Sequence, residues 1–177
     1  GLPDREGFGR RNMKMTREEV AALVLYQTGA LKAFLDAEGV TISHIKPHGA
    51  LFGMAQDQEE IANGIADAAL SMELPVIGFS NCIMSRVFQE RNVPFCCEFY
   101  ADLDYGDDGR QIISREHKVV DENALRRKVL LAIDTGKTTS ISGKKIDVVA
   151  DSICVHSDTP NALETAKLVH TALKERL

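Results

Sequence analysis

The amino-acid sequence predicts an α/β fold in which helices cover a parallel β-sheet. Apolar runs of strand length alternate with longer segments of helical periodicity along the chain, and this alternation is typical of parallel strands joined by helical crossovers. The chain has 177 residues, 44% of them hydrophobic and 27% charged, which suits one compact domain with a buried core. We therefore expect a single domain over residues 1–177, built as an open α/β sheet or as a β/α barrel.

The first predicted helix has clear start and stop signals. Thr16 and Glu19 have the spacing of a capping box, and apolar residues at helical intervals follow them. Gly39 is a helix terminator, so we predict a helix over 16–37. The elements expected after it in this half of the chain are a β-branched strand at 40–47, a helix from Asp57, a buried strand at 75–80 and a short helix at 81–91.

The second half of the chain continues the alternation and contains two turn-rich stretches. Asp121 is an N-cap residue and Gly136 is a C-terminal stop, so they bound a predicted helix. The other elements expected here are a strand at 93–100, a polar loop over 101–120 with a turn at Asp108-Gly109, a hairpin at 138–148 that turns near Ser142-Gly143, a strand at 150–157, and a last helix opened by Asp158-Thr159-Pro160.

Charge and composition exclude some classes of function. The net charge is −5 and the isoelectric point is about 5.5, without the basic surplus that marks nucleic-acid binding. We expect no membrane helix, because we find no apolar run near the roughly 18 residues that such a helix needs, and we find no signal peptide. The four cysteines form no CxxC pair and are predicted to be reduced thiols of a cytoplasmic protein.

Polar and ionisable side chains recur at the carboxyl ends of the predicted strands. They are, in chain order, Lys46 and His48, Ser80 and Asn81, Glu98 and Asp102, and His156 and Asp158. The carboxyl ends of parallel strands meet on one side of a sheet, where α/β proteins carry their chemistry. We therefore expect these side chains to converge on one site.

Each of these residues also has a structural interpretation. A single histidine such as His48 or His156 is more often a hydrogen-bonded structural residue than a catalyst. Asp158 is a candidate cap of the last helix, and Lys46 is a candidate solvated strand end. Glu98 lies between apolar neighbours, and a buried acid is rarely left without a partner.

Two segments resemble binding loops only in part. The segment DTGKTTS lacks the glycine that a phosphate-binding loop places five residues before Gly136, because Leu131 stands there. The segment from Asp102 has Gly106 and Ile113 where a calcium loop needs oxygen ligands. We therefore predict no nucleotide-binding loop within this chain.

Four segments together resemble the LamB/YcsF family. They are GLPDREGFGRRNM, HIKPHGALFGMA, EFYADLDYGDDGRQIISR and ADSICVHSDTPNAL, and they follow one another in the family's order from Gly1 to the last helix. The resemblance implies an irregular, TIM-like β/α barrel of the glycoside hydrolase/deacetylase type. It also implies that the family's first βα units precede the position of Gly1, so that this chain is N-terminally truncated. Leu103 stands where the family often has Arg, and Ser157 where it usually has Gly.

The family resemblance implies a reaction for the predicted site. Its members act as the A subunit of an ATP-hydrolysing 5-oxoprolinase, which opens the lactam of 5-oxo-L-proline to L-glutamate. For the chemical step we expect His48 or His156 to act as general acid or base. Asp158 would orient a histidine or deprotonate water, and Lys46 would hold a carboxylate or a phosphate.

The remaining site candidates would bind the substrate. Arg10 and Arg11 can hold a carboxylate or a phosphate in a two-pronged grip. Glu98 and Asp102 would bind the substrate amide or orient the basic groups. ATP is the implied cofactor, and subunits B and C are the implied partners that handle it, because this chain has no phosphate-binding loop; no metal site is expected.

Two alternative functions remain open at the level of the sequence. The first is a metal-dependent deacetylase or related hydrolase on the same barrel, with His48, His156 and Asp158 as ligands. The second is a non-catalytic or degenerate fragment, because the family's N-terminal motifs are absent from the sequence.

Overall fold

The structure is a computed structural model that describes residues 1–112 and 119–176. It divides into two compact units, Gly1–Cys96 and Cys97–Leu177. The helices are α1 Arg17–Ala37, α2 Ala50–Asp57, α3 Glu59–Met72, α4 Ile83–Glu90, α5 Glu122–Thr135 and α6 Ala162–Lys174. The strands are β1 Val76–Gly78, β2 Phe95–Tyr100, β3 Asp104–Tyr105, β4 Gln111–Ile112, β5 Lys137–Thr139, β6 Lys145–Asp147 and β7 Ser152–Cys154.

The capping box predicted for the first helix is present. The Thr16 hydroxyl accepts the Glu19 backbone N–H at 3.3 Å, and the Glu19 carboxylate accepts the Thr16 N–H at 2.8 Å. The buried Val20 and Val24 side chains face α3. Gly64 of α3 allows this close packing, since a Cβ there would lie 2.7 Å from the Val20 Cβ. A predicted helix is therefore confirmed, and a glycine sets its distance to the next one.

The outer side of α1 is apolar and exposed. Leu25, Leu31 and Phe34 all lie on the surface, and Phe34 is 74% exposed. By length and composition alone α1 could cross a membrane: an 18-residue window has a mean hydropathy of 1.2, and 11% of that window is buried. A core helix and a signal sequence meet the same criterion. The expectation that no apolar run approaches membrane length is therefore wrong for α1.

The strand predicted at 40–47 is reduced to one bridge. Val40 is 51% exposed, whereas Ile45 is buried and pairs in parallel with Val76. The Ile77 N–H donates to the Ile45 carbonyl at 2.8 Å, and the Ile45 N–H donates to Pro75. A β-branched sequence forms a strand only where a neighbour accepts its backbone groups, and in the described residues that holds at Ile45.

A helix that the sequence pattern did not predict follows Gly49. The chain turns there with φ 61°, and α2 begins at Ala50. Leu51, Phe52, Met54 and Ala55 are all buried, whereas Asp57 is exposed. With eight residues, α2 is shorter than the windows in which helical periodicity is recognised.

Unit Cys97–Leu177 contains the parallel pairing that the sequence predicts. Strands β2 and β7 run parallel, with Phe99 opposite Ile153 and Tyr100 opposite Cys154. The Asp121 carboxylate accepts the Ala124 N–H at 2.6 Å at the start of α5. Gly136, with φ 65°, ends the same helix, as predicted. Together these elements confirm the α/β fold class with parallel strand pairing.

This unit contains two β-hairpins. The hairpin predicted at 138–148 is confirmed, whereas the other lies in the stretch predicted as a polar loop, of which only the turn at Asp108-Gly109 was predicted. Strands β3 and β4 pair around Gly109, whose φ is 83° and whose N–H donates to the Gly106 carbonyl. Strands β5 and β6 pair around Gly143, whose φ is 89°. Residues 113–118 of the predicted 101–120 loop lie outside the described residues.

The last helix begins later than predicted. The helix α6 starts at Ala162 with Asn161 as its N-cap residue, so Asp158 does not cap it. The Asn161 side chain instead binds both backbone groups of Val120, accepting at 2.9 Å and donating at 3.0 Å. Asp158 and Pro160 belong to the turn before α6.

Candidate active site

A buried carboxylate and a histidine form the centre of the candidate site. Asp102 follows β2, and none of its side-chain surface is exposed. Its Oδ1 lies 2.9 Å from Nδ1 of His156, which follows β7. Its Oδ2 accepts the backbone N–H of His156 at 2.6 Å. Because β2 and β7 are parallel neighbours, the two strand ends bring these residues together, as expected.

The charge on Asp102 fixes the histidine tautomer. Burial raises the pKa of the Asp102 carboxyl, but the hydrogen bonds from the ring and the backbone of His156 outweigh it and leave the pKa below its ordinary value. An ionised carboxylate only accepts hydrogen bonds, so Nδ1 of His156 carries the proton. In the neutral imidazole, Nε2 then carries the lone pair, and 32% of the histidine side chain is exposed. This is the arrangement of an oriented general base.

An aromatic ring supports the imidazole. Tyr100 stacks on His156, with ring centroids 5.6 Å apart and planes at 14°. The Tyr100 backbone N–H donates to the Tyr105 hydroxyl at 2.9 Å. Burial, followed by the charge of Glu98, raises the pKa of Tyr100, whose hydroxyl is hydrogen-bonded to Glu98. Tyr100 thus stays protonated and fixes one face of His156.

The turn after His156 is held by a hydroxyl. The buried Thr159 donates from Oγ1 to the His156 carbonyl at 3.2 Å. Asp158 lies on the exposed side of this turn. The described contact to Nδ1 comes from Asp102, so the geometry favours Asp102 over Asp158 as the group that orients His156.

Unit Gly1–Cys96 contains the other predicted site residues. His48 is exposed and Lys46 is half-buried, on either side of Pro47. His48 lines an open cavity of about 330 Å³, together with residues that include Arg5, Phe8 and Gln27.

The two candidate arginines differ in their surroundings. Arg11 is paired with Asp4, and its Nε donates to the Asp4 carboxylate at 3.0 Å. Hydrogen bonds from Arg11 lower the pKa of Asp4 to about 2. Arg10 is exposed. Arg11 therefore stabilises the N-terminal loop.

The predicted site residues fall into two groups, one in each unit. The structure brings Asp102 and His156 into contact. Tyr100 stacks on His156, and its hydroxyl is hydrogen-bonded to Glu98. The expected single site that also includes His48 and Lys46 stays a prediction. Within residues 1–112 and 119–176 no three His, Cys, Asp or Glu side chains are grouped so that they could hold a metal ion.

Three residues near His156 escaped the sequence analysis. Tyr100 lies two positions after Glu98, on the same face of a strand, so the period of two could have identified it. Lys128 lies on the apolar stripe of α5 between Leu125 and Ala132, where a lysine is unexpected. Tyr105 had no such signal, because it reaches the site across a turn.

Comparison with known proteins places the chain in a family. The model of the LamB/YcsF family matches residues 1–177. The A subunit of the 5-oxoprolinase of Campylobacter jejuni subsp. jejuni serotype O:23/36 (strain 81-176) is 42% identical, over 98% of this chain and 69% of its own length. The lactam utilization protein lamB of Emericella nidulans is 37% identical, over 99% of this chain and 70% of its own length.

A solved structure agrees with these sequence relatives. The crystal structure of the lactam utilization protein from Thermus thermophilus matches with a TM-score of 0.88 and 35% identity, over 99% of this chain and 72% of that one. The family match covers the segments that carry Asp102 and His156. This chain belongs to the LamB/YcsF family.

Proposed function

We propose that this chain is the A subunit of a 5-oxoprolinase and takes part in the ATP-dependent opening of 5-oxo-L-proline to L-glutamate. Family membership and the names of the relatives support the substrate class. The observation that carries the proposal is the Asp102–His156 pair, in which a buried carboxylate presents an accessible imidazole.

The pair suits the hydrolysis of a lactam. In the proposed step, the water oxygen bonds to the ring carbonyl carbon while Nε2 of His156 takes a water proton. The ring C–N bond then breaks, and His156 returns the proton to the leaving nitrogen. The Asp102 carboxylate stabilises the imidazolium that forms in between. Acid–base catalysis of this kind contributes about 10²- to 10⁴-fold to the rate.

ATP solves the problem that an amide is a poor electrophile. Phosphorylation of the amide oxygen makes the ring carbon reactive. After one water has added and the ring C–N bond has broken, the phosphoryl group remains on the new carboxyl as an acyl phosphate, and a second water hydrolyses it to L-glutamate and inorganic phosphate. The sequence of this chain contains no phosphate-binding loop. We therefore propose that ATP is bound and hydrolysed with the participation of subunits B and C. The relatives are named as one lettered subunit of an enzyme, which fits such an assembly.

The substrate carboxylate and the transferred phosphate need cationic partners. We assign these roles to Arg10 and Lys46. Lys46 lies two residues before His48, and Arg10 follows Gly9, whose carbonyl accepts the Ala50 N–H at 2.9 Å.

The experiment that tests the proposal measures L-glutamate formed from 5-oxo-L-proline by the chain combined with subunits B and C. We expect glutamate only when the chain, its partner subunits, the lactam and ATP are all present. Glutamate formed at the same rate without this chain would refute the proposal, and so would complete inactivity of a correctly assembled complex.

A further inference from the structure

Lys128 of α5 occupies an unusual position for a lysine. Its Nζ lies 5.1 Å from the ring centroid of Tyr105 and 5.7 Å from that of Phe99. These two rings are stacked, with centroids 5.5 Å apart and planes at 10°. The same ammonium donates a hydrogen bond to the backbone carbonyl of Leu103. Lys128 is therefore a cation held between an aromatic stack and a loop carbonyl.

Desolvation of the Lys128 ammonium costs free energy, which argues that the cation has a function. Burial lowers the pKa of Lys128 to about 8, while the nearby Asp104 and Asp102 act in the opposite direction. An apolar residue such as methionine would fill the same stripe of α5 without the desolvation penalty. A partly buried cation of this kind fits a function that needs its charge or its hydrogen bond.

Two routes connect Lys128 to the surroundings of the imidazole. The first route is the carbonyl of Leu103, the residue directly after Asp102, so the ammonium holds the peptide next to the buried carboxylate. The second route is the Tyr105 ring, whose hydroxyl accepts the Tyr100 N–H, and Tyr100 stacks on His156.

We propose that Lys128 is a positioning residue that holds both Asp102 and Tyr100 against His156, so that the proton stays on Nδ1. The inference rests on the proposed function only in that His156 is the acid–base group. Lys128 does not touch substrate in this account. Its contribution is to keep the loop 101–105 in the one geometry that presents Nε2 for catalysis.

The test is nitrogen NMR of His156 in the 177-residue chain, above the pKa of the imidazole and without substrate or partners. The ¹⁵N shifts report the share of the Nδ1–H tautomer. We expect this tautomer to dominate in the wild type and in Lys128→Arg, which keeps a cation and donors above the rings. In Lys128→Met we expect a shift towards the Nε2–H tautomer.

Lys145→Met is the matched control, since it removes a positive charge from an exposed position in the same unit. It should leave the tautomer ratio unchanged. A folded Lys128→Met chain with the wild-type ratio would overturn the proposal. If that variant does not fold, the tautomer ratio of His156 is measured in Tyr105→Phe instead. It removes only the hydroxyl that binds the Tyr100 N–H, so an unchanged ratio there contradicts the second route and the proposal.

This readout separates the inference from the proposed function. The tautomer ratio needs no turnover, so a chain that lacks 5-oxoprolinase activity can still confirm the role of Lys128. In an active complex, Lys128→Met should lower kcat at least tenfold with little change in KM, because substrate contacts remain. Equal losses in Lys128→Arg would contradict a role that depends on the cation.

Discussion

At the residue scale, the chemistry of His156 depends on which ring nitrogen carries the proton. Asp102 decides this, because its buried carboxylate accepts hydrogen bonds from both Nδ1 and the backbone N–H of the same residue. The histidine is thus fixed in position as well as in tautomer. A neutral amide in the place of Asp102 could donate to Nδ1 and stabilise the wrong tautomer.

The Asp102→Asn variant tests this role. We expect kcat of the assembled complex to fall about 10²- to 10⁴-fold, with a smaller change in KM. Asp134→Asn is the matched control, since Asp134 makes an exposed ion pair with Arg176, and its kcat should stay near the wild-type value. Steady-state kinetics of both variants checks the prediction, and equal kcat values for Asp102→Asn and Asp134→Asn would contradict it.

The lowered pKa of Asp4 predicts that this residue's contribution to the free energy of unfolding depends on pH. Its pKa falls from an ordinary value near 3.8 to about 2, because Arg11 binds its ionised form. A group with a lowered pKa in the folded state stabilises the fold above its ordinary pKa and loses that effect as the pH falls through the lowered value. The stability gap between the wild type and Asp4→Asn should therefore shrink from about pH 4 to about pH 2.

Urea unfolding at a series of pH values measures this gap as the difference in unfolding free energy. Arg10→Gln serves as a control, because it removes a neighbouring charge and leaves Asp4 and Arg11 in place. A gap between wild type and Asp4→Asn that stays constant down to pH 2 would show that Asp4 is not paired in solution.

At the element scale, one carboxylate joins three helices. Asp67 of α3 accepts from Arg17 of α1 at 2.6 Å and from Arg91, at the end of α4, at 2.6 Å. The hydrogen bond from Arg17, opposed by burial and reinforced by Arg91, lowers the pKa of Asp67. Because each arginine comes from a different helix, this contact sets the arrangement of α1, α3 and α4.

We expect Asp67→Asn to destabilise the chain by about 1–2 kcal/mol, because it weakens two charge-assisted hydrogen bonds. Asp36→Asn makes the same chemical change at an exposed i,i+4 pair with Lys32 and should cost about 0.3–0.5 kcal/mol. Urea unfolding compares the two variants. Equal costs would mean that the pairing of Asp67 is no stronger than a surface ion pair.

The packing of α1 on α3 makes a second prediction at this scale. In Gly64→Ala the new Cβ would lie 2.6 Å from the Arg17 carbonyl oxygen and 2.7 Å from the Val20 Cβ, so the helices must separate, at a cost of about 1–3 kcal/mol. Gly29→Ala in α1 meets nothing within 4 Å and should stabilise by about 0.5–1 kcal/mol. Thermal unfolding should give opposite signs, and a stabilising Gly64→Ala would contradict the packing.

The sequence was informative where local chemistry determines structure. The capping box at Thr16, the Asp121 cap and the glycines at 136 and 143 all act within a few residues, so their elements are confirmed. It failed where distant contacts decide. The segment 40–47 lacks pairing along most of its length, and most residues of the short α2 are buried by the rest of the fold.

In the candidate site, too, some contacts could be predicted from the sequence and others depend on distant residues. Asp102 and His156 were predicted to lie near each other because each follows a strand of one parallel pair. Lys128 comes from a helix 26 residues after Asp102 in the sequence, and nothing local indicates that its ammonium reaches Leu103. Such a contact depends on tertiary packing, which a pattern in a single sequence does not contain.

At the scale of the whole molecule, the family match over residues 1–177 supports one function for both units. The candidate carboxylate–histidine pair lies in Cys97–Leu177, and the cations Arg10 and Lys46 lie in Gly1–Cys96. Under the proposed function both are needed, one for proton transfer and the other for anion binding. We therefore expect neither unit alone to support turnover.

Dependence on partners is the prediction that belongs to this scale. The purified chain should form no glutamate from 5-oxo-L-proline and ATP, because the ATP-handling part of the reaction is assigned to subunits B and C. A coupled assay of glutamate and ADP checks this prediction. Sustained turnover by the purified chain would contradict the assignment of ATP handling to the partner subunits.

The most direct test of the central claim compares three complexes assembled with subunits B and C. They contain the wild-type chain, His156→Gln and His170→Gln, and the initial rate of glutamate formation is measured with saturating lactam and ATP. The account predicts a loss of about 10²- to 10⁴-fold for His156→Gln, while a complex with the exposed His170→Gln stays near wild type. Equal rates in all three complexes would contradict it.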